Sequence, residues 1–107
     1  MQLQDYPNCE QVRNWVESGA QLIDVRSEGE FLSNALPNAI NVPLPQLPYA
    51  AAQLNPQHAY LLYCASGARS GQAKLYLQSL GFRSLANIGG YRAFLDCGRN
   101  WQAHHAV

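Results

Sequence analysis

The sequence of 107 residues has little charge, few cysteines and no long apolar run. Charged residues make up 13% of the chain and the formal net charge is +0, which excludes a broad basic surface for nucleic acid and a highly charged disordered chain. The N-terminal residues lack the basic and apolar regions of a signal peptide, and no run approaches the length of a membrane span. We therefore expect a cytoplasmic protein with no nucleic-acid or membrane partner.

Cysteine is scarce, and Cys9, Cys64 and Cys97 lie far apart in the chain. Their odd number and wide spacing argue against a disulfide framework and against a zinc site of the CxxC type. The histidines, of which His104 and His105 are adjacent, lack the spacing and the further ligands of a metal set. We therefore expect at least one free thiol, no metal and no cofactor.

Apolar clusters alternate with helical patterns along the chain, which is typical of an α/β domain. The length suits one domain over residues 1–107, with residues 98–107 as a loose tail. Helices are predicted over residues 8–18, 28–32, 47–54, 70–80 and 91–96. Strands are predicted over 21–25, 59–63 and 83–88, with an extended segment over 38–44 and a turn at Gly89-Gly90.

Cys64 directly follows the most apolar strand and begins a short loop before a helix. In parallel α/β sheets, ligands bind beyond the carboxyl ends of the strands. The backbone N–H groups of such a loop and the helix dipole form a nest that binds anions and lowers the pKa of a thiol. We therefore expect Cys64 to be an accessible thiolate near neutral pH that needs no general base.

Three neighbours of Cys64 favour this functional interpretation over a buried structural thiol, which is the commoner role of a single cysteine. Gly67 permits a backbone conformation that a side chain resists. Arg69 supplies a permanent charge and a planar fork of donors for an oxyanion. Ser70 is placed to cap the helix and to donate a hydrogen bond.

Several other polar residues have structural interpretations that we favour over a role in the site. We expect Asp24 to brace the neighbouring loops and Arg26 to pair with Glu28 or Glu30. We expect Lys74 to lie on a solvated helix face.

The loop from Tyr63 to Gly71 resembles the active-site loop of rhodanese-like domains. Other segments resemble the same family in the same order along residues 8–95, namely 22–26, 28–31, 37–43, 80–82 and 89–94. The chain departs from the common pattern at residues 34–36, at Phe94, where a tryptophan is usual, and at Ala65, where a polar residue is usual.

The resemblance implies a rhodanese-like single domain with a central, mainly parallel sheet of about five strands, flanked by helices on both faces. It also implies a sulfurtransferase that moves sulfur from thiosulfate or a similar donor to cyanide, a thiol or a protein cysteine, through a persulfide on Cys64. The residues expected to bind the small anionic donor are Ala65, Ser66, Gly67, Ala68, Arg69 and Ser70. Those expected to support the site structurally are Asp24, Arg26 and Glu30. We expect a monomer, and Ala65 leaves the donor preference open.

Two other functions remain as alternatives. One is a non-catalytic binding module with the rhodanese fold, which the intact loop disfavours. The other is a cysteine-dependent phosphatase or arsenate-handling enzyme. Related phosphatases place the arginine one residue later, whereas the six-residue span from Cys64 to Arg69 forms a smaller ring that suits a sulfane sulfur. A resolving role for Cys9 or Cys97 is disfavoured, because a disulfide needs Cα atoms within about 7 Å.

Overall fold

A computed structural model describes residues 2–101. Helices and strands alternate along these residues. The helices are α1 (Cys9–Glu17), α2 (Glu28–Ser33), α3 (Leu47–Ala50), α4 (Ala68–Ser79) and α5 (Leu95–Gly98). The strands are β1 (Gln21–Asp24), β2 (Ile40–Asn41), β3 (Tyr60–Cys64) and β4 (Leu85–Gly90). Short 3-10 turns cover Leu44–Gln46, Ala51–Gln53 and Tyr91–Phe94.

The strands form one parallel sheet in the order β2-β1-β3-β4. The predicted α/β class with a parallel central sheet is confirmed, with four strands in the described residues where about five were expected. The strand β2 has two residues, because Pro37, Pro43 and Pro45 limit the extended segment around it. The carboxyl ends of β1, β3 and β4 lie side by side, so the loops that follow them meet at one edge.

Helices cover both faces of the sheet, and β3 shows how the core is divided. All five residues of β3 are buried, which explains its unbroken apolar run. Leu61 and Tyr63 face the core beneath α1 and α5, and Leu62 and Cys64 face the core beneath α3 and α4. Cys64 therefore begins its loop on the α3–α4 face.

The first helix, α1, begins where its sequence signals predict. The Asn8 side chain accepts the Gln11 N–H at 2.9 Å, and the Gln11 side chain accepts the Asn8 N–H at 2.9 Å. This capping box satisfies two backbone donors at the helix start. The buried face of the helix consists of Val12, Trp15 and Val16.

Gly89 and Gly90 lie within β4, so the predicted turn at this position is wrong. A register shift between Leu62 and Tyr63 marks a bulge that pairs Tyr63 with Gly89. A Cβ atom on Gly90 would lie 2.5 Å from the Ala65 carbonyl oxygen. The glycine is therefore required because the end of β4 approaches the loop after β3 this closely.

Cys9 and Cys97 form a disulfide, with their Cα atoms 6.2 Å apart. The wide spacing argued against a disulfide framework, but this one disulfide forms because α1 and α5 pack together although 88 residues separate the two cysteines. The pair lies against the core on the α1–α5 face. Cys64 lies on the other face and is the free cysteine of the described residues, so neither partner is placed to resolve it.

The C-terminal region of the described chain continues the core. Gly98 ends α5, and Trp101 is buried with its ring centroid 6.1 Å from that of Phe94. The rest of the predicted tail, residues 102–107 with the two adjacent histidines, lies outside the described residues. A single domain over residues 1–107 therefore stays a prediction. Within residues 2–101, every helix is too short or too polar to cross a membrane.

Asp24 and Arg26 form a buried ion pair at the end of β1. Arg26 Nη2 lies 2.7 Å from Asp24 Oδ2, and the Arg26 backbone N–H donates to Asp24 Oδ1 at 2.8 Å. The guanidinium carbon lies 4.0 Å from the centroid of the Tyr91 ring, a cation–π contact. The predicted pairing of Arg26 with Glu28 or Glu30 is wrong, because the chain turns the Arg26 side chain inward between its own strand end and the Tyr91 ring.

Replacing Arg26 with alanine should lower the free energy of unfolding by about 3–5 kcal/mol, because the Asp24 carboxylate stays buried without its partner. Urea denaturation followed by tryptophan fluorescence measures this loss. The control is Arg13→Ala, whose 3.8 Å pair with Glu10 is exposed and should contribute less than about 0.5 kcal/mol. Equal losses in the two variants would contradict the role given to the buried pair.

Candidate active site

The Cys64 sulfur lies at the junction of β3 and α4. Cys64 ends β3, the loop Ala65–Gly67 follows, and α4 begins at Ala68. Gly67 has a φ of +99°, a conformation that favours glycine, and it turns the chain back over the end of β3. Gly67 is also the N-cap residue of α4, so the predicted capping role of Ser70 is wrong.

Three donors surround the Cys64 sulfur. The backbone N–H of Gly67 donates to it at 3.0 Å and that of Ser70 at 3.4 Å, and the Ser70 hydroxyl donates at 3.4 Å. Burial raises the pKa of the Cys64 thiol, but hydrogen bonds from Ser70 and from the backbone N–H groups of Ser66 and Gly67 together lower it by more. The net pKa lies below that of an ordinary cysteine, which favours the thiolate.

The Cys64 sulfur is covered, contrary to the expectation that it would be accessible. Cys64 has 0% relative exposure, whereas Ala65 and Ser66 in the loop above it are exposed. The physical cause is that the donors themselves cover the sulfur, because the turn at Gly67 folds the start of α4 onto it. The structure therefore holds the Cys64 sulfur out of contact with solvent.

Asn87 on β4 fixes the loop and the serine, and the sequence reasoning missed it. Its Nδ2 donates to the Gly67 carbonyl at 3.0 Å, and its Oδ1 accepts the Gly89 N–H at 2.9 Å. Asn87 Oδ1 also lies 2.7 Å from the Ser70 hydroxyl, so this oxygen and the Cys64 sulfur share the single hydroxyl hydrogen. Asn87 is buried, and buried polar side chains are almost always hydrogen-bonded. The sequence signal for Asn87 was therefore a polar amide within an otherwise apolar strand.

The N-terminal segment binds the outer side of this network. Asp5 accepts the Asn87 backbone N–H at 2.9 Å and pairs with Lys74 at 2.8 Å. The Tyr6 N–H donates to the Asn87 carbonyl at 2.9 Å. The predicted solvated face is therefore wrong for Lys74, because its ammonium holds the N-terminal segment against α4.

The guanidinium of Arg69 is paired with Glu30. Arg69 Nη1 lies 2.7 Å from Glu30 Oε1, and Arg69 Nη2 lies 3.0 Å from Glu30 Oε2. The Arg69 hydrogen bond, followed by the backbone N–H of Ser27, lowers the pKa of the Glu30 carboxyl to about 2. The group expected to bind an anionic donor thus already binds a carboxylate.

A cavity of about 510 Å³ opens beside Arg69, near the end of β1. Ligands bind at this edge of parallel sheets. Its wall combines apolar and polar residues, namely Val25, Ser27, Glu28, Asn41, Pro43, Leu44, Pro45, Gln46 and Arg69.

The residues predicted for the site fall into three groups. Those around the sulfur are Cys64, Gly67 and Ser70. Those on the exposed side of the loop are Ala65, Ser66 and Ala68. Those held in ion pairs are Asp24, Arg26, Glu30 and Arg69. Across residues 2–101, no group of three or more histidine, cysteine or acidic residues could hold a metal ion.

The family model of the rhodanese-like domain matches residues 8–97, which contain the whole site. The chain belongs to the rhodanese-like domain family. This rhodanese-like chain is 32% identical over 69 residues to a sulfurtransferase of Allochromatium vinosum, covering 64% of each protein. It is 32% identical over 103 residues to the human thiosulfate:glutathione sulfurtransferase, covering 80% of this chain and 89% of that protein.

A solved structure described as a rhodanese with anions from Escherichia coli superposes on the rhodanese-like chain with a TM-score of 0.65 at 30% identity. The match covers 72% of this chain and 93% of that one. The chain spans less than two thirds of the length of several curated relatives that it matches. These similarities place it among rhodanese-like domains, of which several matched proteins are named sulfurtransferases.

Replacing Ser70 with alanine should raise the pKa of Cys64, because the thiolate loses the hydroxyl that donates to it. Alkylation by iodoacetamide at a pH below the pKa of Cys64 should slow roughly fivefold, the factor for one hydrogen bond of about 1 kcal/mol. Ultraviolet absorbance of the thiolate during a pH titration measures the pKa directly. The control is Ser79→Ala at the other end of α4, where the hydroxyl bonds only the Tyr76 carbonyl. An unchanged titration in Ser70→Ala would contradict this role.

Proposed function

We propose that the protein moves sulfane sulfur from thiosulfate or a similar donor to cyanide, a thiol or a protein cysteine, through a persulfide on Cys64. The observation that carries the proposal is the hydrogen-bonded sulfur of Cys64, whose donors come from Gly67 and Ser70. Membership of a family of rhodanese-like sulfurtransferases supports it.

The first half of the reaction loads Cys64. The thiolate attacks the outer sulfur of thiosulfate and forms a sulfur–sulfur bond. The sulfur–sulfur bond of the donor breaks, and sulfite leaves with its electron pair. The loop N–H groups and the Ser70 hydroxyl, which favour negative sulfur at Cys64, would also stabilise the terminal sulfur of the persulfide.

The second half returns Cys64 to its starting state. A cyanide or thiolate acceptor attacks the outer sulfur of the persulfide. The bond between this sulfur and Cys64 breaks, and its electron pair restores the thiolate. Neither half needs an oxidant or a reductant beyond the donor and the acceptor. The reaction therefore needs no metal or cofactor for electron transfer.

The burial of Cys64 requires the loop to admit both substrates. Ala65 and Ser66 are the exposed residues of this loop, so their displacement would open a route to the sulfur. The outer sulfur of a persulfide extends about 2 Å beyond Cys64 Sγ and so brings the reacting atom closer to the loop surface. The proposed donor-binding residues are those of the loop, Ala65, Ser66, Gly67, Ala68, Arg69 and Ser70.

The remaining parts of the proposal concern the surroundings of the site and the protein as a whole. Glu30 would position Arg69, and Asp24 and Arg26 would support the neighbouring strand ends. We also propose a cytoplasmic monomer with no nucleic-acid or membrane partner. Disulfides are rare in reducing compartments. The Cys9–Cys97 disulfide is unusual for that location, so alkylation of these cysteines in intact cells tests it: two reactive thiols would support the cytoplasm, and protection of both would contradict it.

One observation favours a non-catalytic binding module as the second candidate. A fully covered Cys64 and an Arg69 that is already paired would suit a fold that binds a partner without reacting. This candidate predicts that Cys64→Ala retains anion or partner binding and that the parent protein accepts no sulfur.

Thiosulfate treatment should add one sulfur atom to the protein, and cyanide should remove it. Intact-protein mass spectrometry measures both steps. Cys64→Ser should lose both, because the nucleophile is absent. The double variant Cys9→Ser/Cys97→Ser is the matched control and should retain both, since it removes the disulfide but leaves Cys64. No mass gain in the parent with any sulfane donor would refute the proposed function.

A further inference from the structure

The ion pair between Arg69 and Glu30 occupies the guanidinium at the start of α4, directly after the loop that follows Cys64. Both Nη atoms bond to the carboxylate, at 2.7 and 3.0 Å, in a fork-to-fork arrangement. The two side chains are about a third exposed, so the pair lies at the surface of the site and not within the core. An anion that uses the same fork must displace Glu30.

Glu30 is held in this position by contacts that do not involve Arg69. Its Oε1 accepts the Ser27 N–H and the Ser27 hydroxyl, each at 3.0 Å, and its own N–H donates to the Ser27 hydroxyl at 3.2 Å. These bonds form the capping box of α2. The carboxylate is therefore fixed by the start of a helix, and Arg69 meets a preplaced negative charge.

The charges around the cavity beside Arg69 do not favour a dianion. Arg69 is the one lysine or arginine among the described residues of its wall, and Glu28 is the acidic one. With Glu30 bound to Arg69, the local sum is one positive and two negative charges, a net charge of −1. A doubly charged donor is repelled twice as strongly by this charge as a singly charged one.

We propose that Glu30 is a specificity-determining residue that neutralises Arg69 and selects singly charged organic sulfane donors over the thiosulfate dianion. The inference rests on the proposed function and deepens it. The chemistry selected is a terminal sulfur on an organic group, as in a thiosulfonate or the persulfide of a thiol. Cys64 takes the terminal sulfur of such a donor, the sulfur–sulfur or sulfonyl–sulfur bond of the donor breaks, and the organic thiolate or sulfinate leaves with the electron pair. These donors carry one charge at the reacting sulfur, and the apolar part of the cavity wall suits their organic group.

The neutralisation persists over the physiological pH range. The pKa of Glu30 is lowered to about 2, chiefly by the Arg69 hydrogen bond, so the carboxylate is ionised at physiological pH. Acidification therefore does not release Arg69. Only competition by another anion, or removal of the Glu30 charge, frees the two Nη donors of Arg69 that bind Glu30.

The test compares two donors that share the same reacting sulfur but differ in charge, thiosulfate and methanethiosulfonate. Glu30→Gln removes the charge and keeps an oxygen for the Ser27 N–H. The ratio of kcat/KM for thiosulfate to that for methanethiosulfonate should rise roughly fivefold, the effect of about 1 kcal/mol from one exposed charge. The change should lie in the KM for thiosulfate, with kcat unchanged.

Two further variants separate charge from structure. Glu30→Asp keeps the charge and should keep the donor ratio near that of the parent. Glu17→Gln, at the exposed end of α1, makes the same change in net charge away from the site and should leave the ratio unchanged. Thermal unfolding of each variant verifies that the fold is retained.

An unchanged donor ratio in Glu30→Gln, or a higher KM for thiosulfate, would overturn the inference and assign Glu30 the role of holding Arg69 for the dianion. In that case the proposed function would stand, because the parent still forms the Cys64 persulfide. Absence of the persulfide in the parent with both donors would instead overturn the proposed function and this inference with it.

Discussion

A sulfur atom buried at the end of a strand needs hydrogen-bond donors from within the protein, and this need organises the candidate site. The turn at Gly67 brings two backbone N–H groups and the Ser70 hydroxyl to Cys64. Asn87 holds both the turn and the serine from the neighbouring strand, so the geometry of the donors depends on the pairing of β3 with β4. The glycine-rich end of β4 is part of the same arrangement, because Gly90 gives the loop room to lie against the sheet.

The two arginines next to the sheet edge have different environments and different uses. Arg26 is buried with Asp24 and stacked on the Tyr91 ring. Removing Arg26 would therefore leave the Asp24 carboxylate buried and unpaired. Arg69 is partly exposed, and its partner Glu30 is fixed by a helix cap. The first pair holds strand ends together, whereas the second sets the electrostatic potential that an incoming anion meets. Burial, more than residue type, separates a structural ion pair from one that acts on a ligand.

Local signals in the sequence predicted the helices and strands better than they predicted the contacts between distant residues. The capped helix α1, the apolar strand β3 and the position of Cys64 after it depend on patterns within a few residues. The role of Asn87 and the stacking of Arg26 on the Tyr91 ring depend on which strand ends meet, and residue spacing does not encode that. The disulfide of Cys9 and Cys97 depends on the packing of two helices from opposite ends of the described chain. The burial of the catalytic candidate was missed for the same reason, since the residues that supply its hydrogen bonds also cover it.

The disulfide has a consequence for the connectivity of the whole molecule. It closes a covalent ring that contains the four strands of the described sheet and the candidate site. A protease that cut the exposed segment of residues 55–58 would open the backbone without separating the molecule, because the sulfur bridge would still join the fragments. The cut protein would therefore remain one covalent molecule of two peptide fragments, with two additional chain ends at the cleavage point.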